Sequence, residues 1–157
     1  MGRAQRLALL RSLEKKRKSK VIAYLAGDRP GMETKVASDV HPLFYDHLNA
    51  IGRQDRIDLF LYTTGGLTNS AYALVNMIKE YCDHFGIIIP FKALSSGTLM
   101  ALGADEIVMT RMGQLSPIDP TITTPHGPQV MLPGKPAPDW IPISVEDVNS
   151  YINLAKR

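Results

Sequence analysis

An α/β fold of repeated βα units around a mainly parallel sheet is what this chain predicts, and three observations carry the prediction. Two apolar runs with strand character (Ile57, Leu59, Phe60, Leu61, Tyr62 and Ile87, Ile88, Ile89, Phe91) each end in a glycine-marked turn. The turns read Thr63-Thr64-Gly65-Gly66 and Ala93-Leu94-Ser95-Ser96-Gly97-Thr98. A helix-period segment separates the two runs, which is the pattern of a crossover between parallel strands. Parallel strands bring both turns to the same sheet edge, where ligand sites of α/β folds form.

The elements follow in order. Residues 4–16, with Leu7, Leu10 and Leu13 in register, predict a short basic helix. Residues 20–26 are a short run with β-branched and aromatic content and predict the first strand. Gly27-Asp28-Arg29-Pro30-Gly31 marks a loop. Val36, Val40, Leu43, Phe44, His47, Leu48 and Ile51 recur at helical spacing, so a helix is expected over 33–51, with Pro42 as an objection to it. His41 and His47 read as surface or packing histidines. Residues 57–64 predict the second strand, and Thr68, Asn69 and Ser70 all qualify as N-cap of the next helix. Its stripe of Ala71, Leu74, Val75, Ile78, Tyr81, Cys82 and Phe85 makes Cys82 a core residue, with Gly86 closing the helix and 86–94 supplying the third strand. A small-residue helix over 96–104, a strand over 106–110 and the start of another at Gln114 follow. From Pro117 to Pro142 eight prolines predict a long loop, a functional cover or flexible segment. Ser144 caps a final helix from about residue 145, with Glu146 and Asp147 in its first turn.

At 157 residues the chain suits one main domain: a basic helix or arm over 1–19 and an α/β domain over 20–157. The net charge of +3 is unevenly spread. Residues 1–20 hold eight Lys or Arg against Glu14, which gives +7, and the remainder holds ten basic and fourteen acidic residues, which gives −4. The basic run Lys15-Lys16-Arg17-Lys18 has no interleaved aromatics, so a solvated arm or oligomer-contact helix is expected rather than a nucleic-acid surface. No apolar window approaches the roughly 18 residues of a membrane span, and no signal-peptide core is present. One cysteine, Cys82, excludes an internal disulfide and suits a reducing, cytoplasmic setting. No metal-ligand pattern and no cofactor fingerprint of the Gly-x-Gly-x-x-Gly kind is present, so neither is expected.

The two turns also carry chemistry. A Gly-Gly turn beside a Ser-x-Gly turn places backbone N–H groups next to a hydroxyl, the parts that serine acyl transfer requires. Ser95 falls at a helix N-terminus, and the amides of Gly66 and Ser96 can converge on an oxyanion. The plainer reading of each turn, a tight βα connection and an N-cap, stands beside this one.

The ordered pair Thr-Thr-Gly-Gly-Leu and Ala-Leu-Ser-Ser-Gly-Thr-Leu-Met-Ala-Leu-Gly-Ala-Asp-Glu-Ile, followed by Leu-Ser-Pro-Ile-Asp-Pro, resembles the ClpP/crotonase superfamily over residues 20–122. Within it the chain is most similar to signal-peptide-peptidase-like serine proteases of the serine dehydrogenase proteinase group. The resemblance implies a ClpP/crotonase-like spiral of βα units and a serine peptidase acting on peptide or protein substrates. It implies Ser95 as nucleophile, with Ser96 as runner-up, an oxyanion hole from Gly66 and Ser96, and a homo-oligomer. The histidine of the Clp peptidase falls near Asp119 here, so that triad is not reproduced. A lysine base is the relatives' other solution, and Lys135 is the only lysine between Ser95 and the final helix. His126 is the alternative base, and Asp119 a possible orienting residue. A base from a neighbouring subunit, or a catalytically silent binding module, stays open beside these. A crotonase-type acyl-CoA enzyme is the more distant alternative, for no purine-binding signature or well-placed glutamate is present.

Overall fold

A computed structural model describes residues 2–119, 121–122, 127–131 and 136–156. The chain forms two compact units, Met1–Ile118 and Asp119–Arg157.

The first unit runs α1 (Arg3–Arg17), β1 (Lys20–Leu25), a 3-10 turn (Ser38–Val40), α2 (His41–Ile51), β2 (Gln54–Tyr62), α3 (Thr68–Glu80), β3 (Cys82–Ile89), β4 (Lys92–Ala93), α4 (Ser96–Leu102), β5 (Glu106–Met109) and β6 (Gln114–Leu115). The main sheet has the order β1-β2-β3-β5, and every pair in it is parallel. Parallel neighbours need crossovers, which α2, α3 and α4 supply. Ile57, Leu59 and Leu61 alternate onto one face of β2, opposite Phe85 and Ile87 of β3 in register. Against that face pack Phe44 and Leu48 of α2, Ala71, Leu74, Val75 and Ile78 of α3, and Met100 and Ala101 of α4. Each of the larger side chains here, Phe, Leu, Val, Ile or Met, contributes about 1.5–3 kcal/mol when taken from water. The result is a rigid frame beneath the strand ends.

Three expectations change. Residues 33–37 are not helical: α2 starts at His41, and Pro42 sits in its first turn, where a missing N–H costs nothing. Val36 is instead fully buried in extended backbone and bridges Gly66. Leu67 precedes α3 in extended conformation, and none of Thr68, Asn69 or Ser70 serves as N-cap. Finally α3 ends at Glu80, so Cys82, Phe85 and Gly86 belong to β3 rather than to the helix. The apolar residues there fit both a helical and a strand period, and ladders to β2 and β5 on either side decide for the strand. Gly86 is a space, not a stop: a Cβ at that position would collide with Oδ1 of Asp58.

The side chain of Asp58 is fully buried, and its charge is shared out. Arg17 Nε lies 2.9 Å from its Oδ2, Arg56 Nε 3.2 Å from its Oδ1, and the Ser19 hydroxyl donates at 2.8 Å. Arg17 also reaches Oε2 of Glu106 at 2.6 Å, and Arg56 bonds the same carboxylate. Burial pushes the Asp58 carboxyl up, but hydrogen bonds from Arg17, Ser19 and Arg56 outweigh it and hold the group below its ordinary range. The same two guanidinium groups, Arg17 foremost, pull Glu106 from 4.5 down to about 2. A carboxylate depressed by folding adds stability above its unfolded value and loses it as pH falls through its folded value. The thermal midpoint is therefore expected to drop as pH falls from 4.5 to about 2, and Glu106→Gln to flatten that slope in a melting series. An unchanged slope in the variant would exclude this role.

In the second unit, β7 (Thr121–Ile122) pairs antiparallel with β10 (Ile143–Ser144), and β8 (Gln129–Val130) with β9 (Asp139–Trp140). The stretch expected as one loop thus holds short ladders. Each of these two-residue strands directly follows a proline, which fits because proline cannot itself donate to a ladder. Helix α5 (Val145–Ala155) begins as expected, with Ser144 Oγ accepting from the amides of Glu146 at 3.1 Å and Asp147 at 3.3 Å.

Candidate active site

The chain end of β2 and the short strand β4 lie side by side. Thr63 and Ala93 form a parallel bridge, with Thr63 N–H donating to Lys92 O at 2.9 Å and Leu94 N–H to Thr63 O at 3.1 Å. Both turns therefore leave the same edge, as the strand pattern predicts. Thr63 Oγ1 accepts the Gly65 amide at 3.0 Å and shapes the first turn. A Cβ on Gly65 would stand 2.8 Å from Ser95 Cβ and 3.3 Å from its Oγ, so glycine is what lets the two turns touch.

Ser95 has φ 52° and ψ −116°, a conformation that costs a non-glycine residue about 1–3 kcal/mol. It caps α4 with its backbone alone: its side chain makes no capping bond. Its neighbour Ser96 is fully buried, whereas Ser95 is half-buried. Ser96 Oγ has no hydrogen-bond partner among the described residues.

Two amides beside Ser95 matter. Val36 N–H donates to Gly65 O at 2.9 Å and Leu67 N–H donates to Val36 O at 2.7 Å. In a parallel bridge this pattern turns the N–H of the intervening residue, Gly66, away from Val36. The Ser96 amide lies in the first turn of α4, where no intrahelical acceptor exists. Among the described residues neither amide has an acceptor. The Ser95 amide, by contrast, donates to Ser116 Oγ at 2.7 Å.

Asp119 lies in the second unit, where its Oδ1 accepts the Ser144 hydroxyl at 2.8 Å beside the start of α5. Lys135 and His126 lie outside the described residues. Cys82 is core, as expected: its thiol donates to Ile78 O at 3.4 Å, and burial pushes its pKa up. Iodoacetamide at neutral pH is expected to leave it unmodified until the protein unfolds, which mass spectrometry reads directly. Among the described residues no cluster suited to a metal ion is present, and no helix is long and apolar enough to cross a membrane.

A family model described as ClpP-like SDH-type serine proteinase matches residues 46–133. The chain belongs to that family. The SDH-type stretch takes in both turns, α3, α4 and β5. An uncharacterized protein of Methanocaldococcus jannaschii is 30% identical over 133 residues, covering 80% of this chain and 46% of the relative. A second uncharacterized protein of that organism is 41% identical over 66 residues, covering 42% of this chain and 23% of the relative. The chain thus spans less than half the length of these curated relatives. Among solved structures, a 1510-N membrane-bound stomatin-specific protease in a serine-to-alanine variant aligns with TM-score 0.53 and 16% identity, over 85% of this chain and 58% of that one. Its lysine-to-alanine variant in complex with a substrate peptide aligns with TM-score 0.51 and 20% identity, over 84% and 56% of the two chains. At such identities the likeness is one of fold, and the fold is that of the ClpP-like proteases.

The sequence reading of this SDH-type chain missed three contributors. Gly65 packs directly against Ser95, Val36 straps Gly66, and Ser116 holds the Ser95 amide. Periodicity reports none of these, because each is a contact between distant turns.

Proposed function

We propose that this chain carries the nucleophile and oxyanion hole of a serine peptidase. The observation that carries the reading is a half-buried serine on positive-φ backbone, packed against the Gly65 turn, where the amides of Gly66 and Ser96 have no acceptor among the described residues. Ser95 Oγ attacks the peptide carbonyl carbon, and its proton passes to a base. The carbonyl oxygen takes the developing charge, which the Gly66 and Ser96 amides receive. Collapse releases the amine, protonated by the same base, and water then hydrolyses the acyl-enzyme. Lys135 is the proposed base, neutral only if desolvated, with His126 the alternative and Asp119 the proposed orienting group. The family assignment supports proteolysis, and the solved neighbour described with a substrate peptide supports peptides as the substrate class. Homo-oligomeric assembly and a cytoplasmic setting belong to the same reading, with no cofactor required. The test is covalent labelling of the folded protein by a fluorophosphonate. A mass adduct on the peptide that contains Ser95 supports the reading, and recovery of unmodified folded protein overturns it.

A further inference from the structure

The strain at Ser95 needs something to hold it, and the structure places a pair of hydroxyls there. Ser116 Oγ accepts the Ser95 amide at 2.7 Å, and the Ser116 hydroxyl donates to Pro117 O at 2.9 Å. The Ser116 amide donates to Thr98 Oγ1 at 3.0 Å, and the Thr98 hydroxyl donates to Ala93 O at 2.9 Å. Each hydroxyl has one proton, and each proton is already committed to a carbonyl. Both oxygens therefore meet the incoming N–H groups only as acceptors. Thr98 is buried on the first turn of α4 and Ala93 is buried on β4, so the anchor is built into the frame. Ser116 immediately follows β6, which pairs with β4 through Lys92–Gln114 and Ala93–Leu115. The acceptor for Ser95 is fixed at both ends.

We propose that Ser116, set by Thr98, is the positioning residue that holds Ser95 in its left-handed conformation and so aims its hydroxyl. The inference deepens the peptidase reading and rests on it for its catalytic consequence. It has a second effect on the oxyanion hole. Because the Ser95 amide is engaged by Ser116, it is not a donor to an oxyanion, while the Gly66 and Ser96 amides have no acceptor among the described residues. Without the Ser116 hydroxyl the Ser95 amide loses its acceptor, and the residue is free to relax toward ordinary helical backbone. That relaxation moves Oγ away from its present place against the Gly65 turn.

Two measurements on the whole chain test this, using Ser116→Ala and Ser116→Thr. The first follows hydrogen exchange of the Ser95 amide by NMR, which needs no catalysis. Exchange is expected to accelerate several-fold in Ser116→Ala and to stay slow in Ser116→Thr, which keeps the hydroxyl. The second is the saturating rate of fluorophosphonate labelling, expected to fall about 10- to 100-fold in Ser116→Ala, as a displacement near 1 Å does. It is expected to recover in Ser116→Thr, with the probe concentration for half-saturation unchanged throughout. A melting curve confirms that each variant is folded at the assay temperature. Unchanged exchange at Ser95 in Ser116→Ala overturns the positioning role, as does labelling at the wild-type rate. A wild type that protects the Ser95 amide yet never labels fails the peptidase reading alone.

Discussion

Ser95→Ala is expected to abolish fluorophosphonate labelling and peptide hydrolysis, a loss of at least about 10³-fold, while the far-UV spectrum stays that of the wild type. The fold should tolerate the change because Ser95 caps α4 through its backbone, and its side chain makes no capping bond that alanine would remove. The adjacent variant gives the discriminating comparison. Ser96 is fully buried and its Oγ has no partner among the described residues, so Ser96→Ala deletes an unsatisfied hydroxyl and keeps the backbone amide. Its stability is expected to be equal to or above wild type, and its labelling preserved. If labelling survives in Ser95→Ala and disappears in Ser96→Ala, the nucleophile is Ser96.

Gly66→Ala is expected to be the most damaging single change in the first unit. A Cβ there would collide with the backbone N and O of Val36 and lie 2.8 Å from its carbonyl carbon. Backbone atoms cannot swing aside as the tip of a side chain can. Relief requires parting the bridge in which Val36 N–H reaches Gly65 O and Leu67 N–H reaches Val36 O. A loss of about 3 kcal/mol in denaturant unfolding is expected, at the upper end for overpacking. In the fraction that remains folded, the Gly66 amide is displaced, and removal of one oxyanion donor costs about 10²- to 10³-fold in rate. A variant with wild-type stability would show that the turn moves freely. One with wild-type labelling per folded molecule would show that the Gly66 amide is not a donor.

Much of this was legible before any coordinates. The alternating Ile57, Leu59, Leu61 and the apolar 87–89 run announced parallel strands, because a strand buried in a parallel sheet reads as a hydrophobic run. The two turns that hold Gly66 and Ser95 were legible because glycine and serine at strand ends are local signals. The boundary between α3 and β3 was not. Phe85 satisfies a helical stripe and a strand face equally, and only ladders to two neighbours separate the readings. Gly86 looked like a helix stop because glycine usually punctuates. Its reason is the carboxylate of Asp58 on the adjacent strand, which no local window contains. Val36 fits a helical spacing but is extended, because its N–H and carbonyl bond Gly65 O and Leu67 N–H on either side of Gly66. The base is a different case: Lys135, a candidate from the resemblance, and His126, a candidate as a histidine, both lie outside the described residues.

The Val36 strap also says where a working fragment would have to start. The family match begins at residue 46, downstream of Val36, of Ser19 and of Arg17. A piece cut to the matched boundary keeps Ser95, Gly66 and Ser116 in its sequence. It gives up the strand that fixes the direction of the Gly66 amide, and it leaves the buried Asp58 without two of its three hydrogen-bonding partners. The stretch that the family model matches is therefore shorter than the stretch that holds the Gly66 turn and Asp58 in place. The segment that straps Gly66 and the helix whose Arg17 pairs with buried Asp58 both lie ahead of the matched stretch.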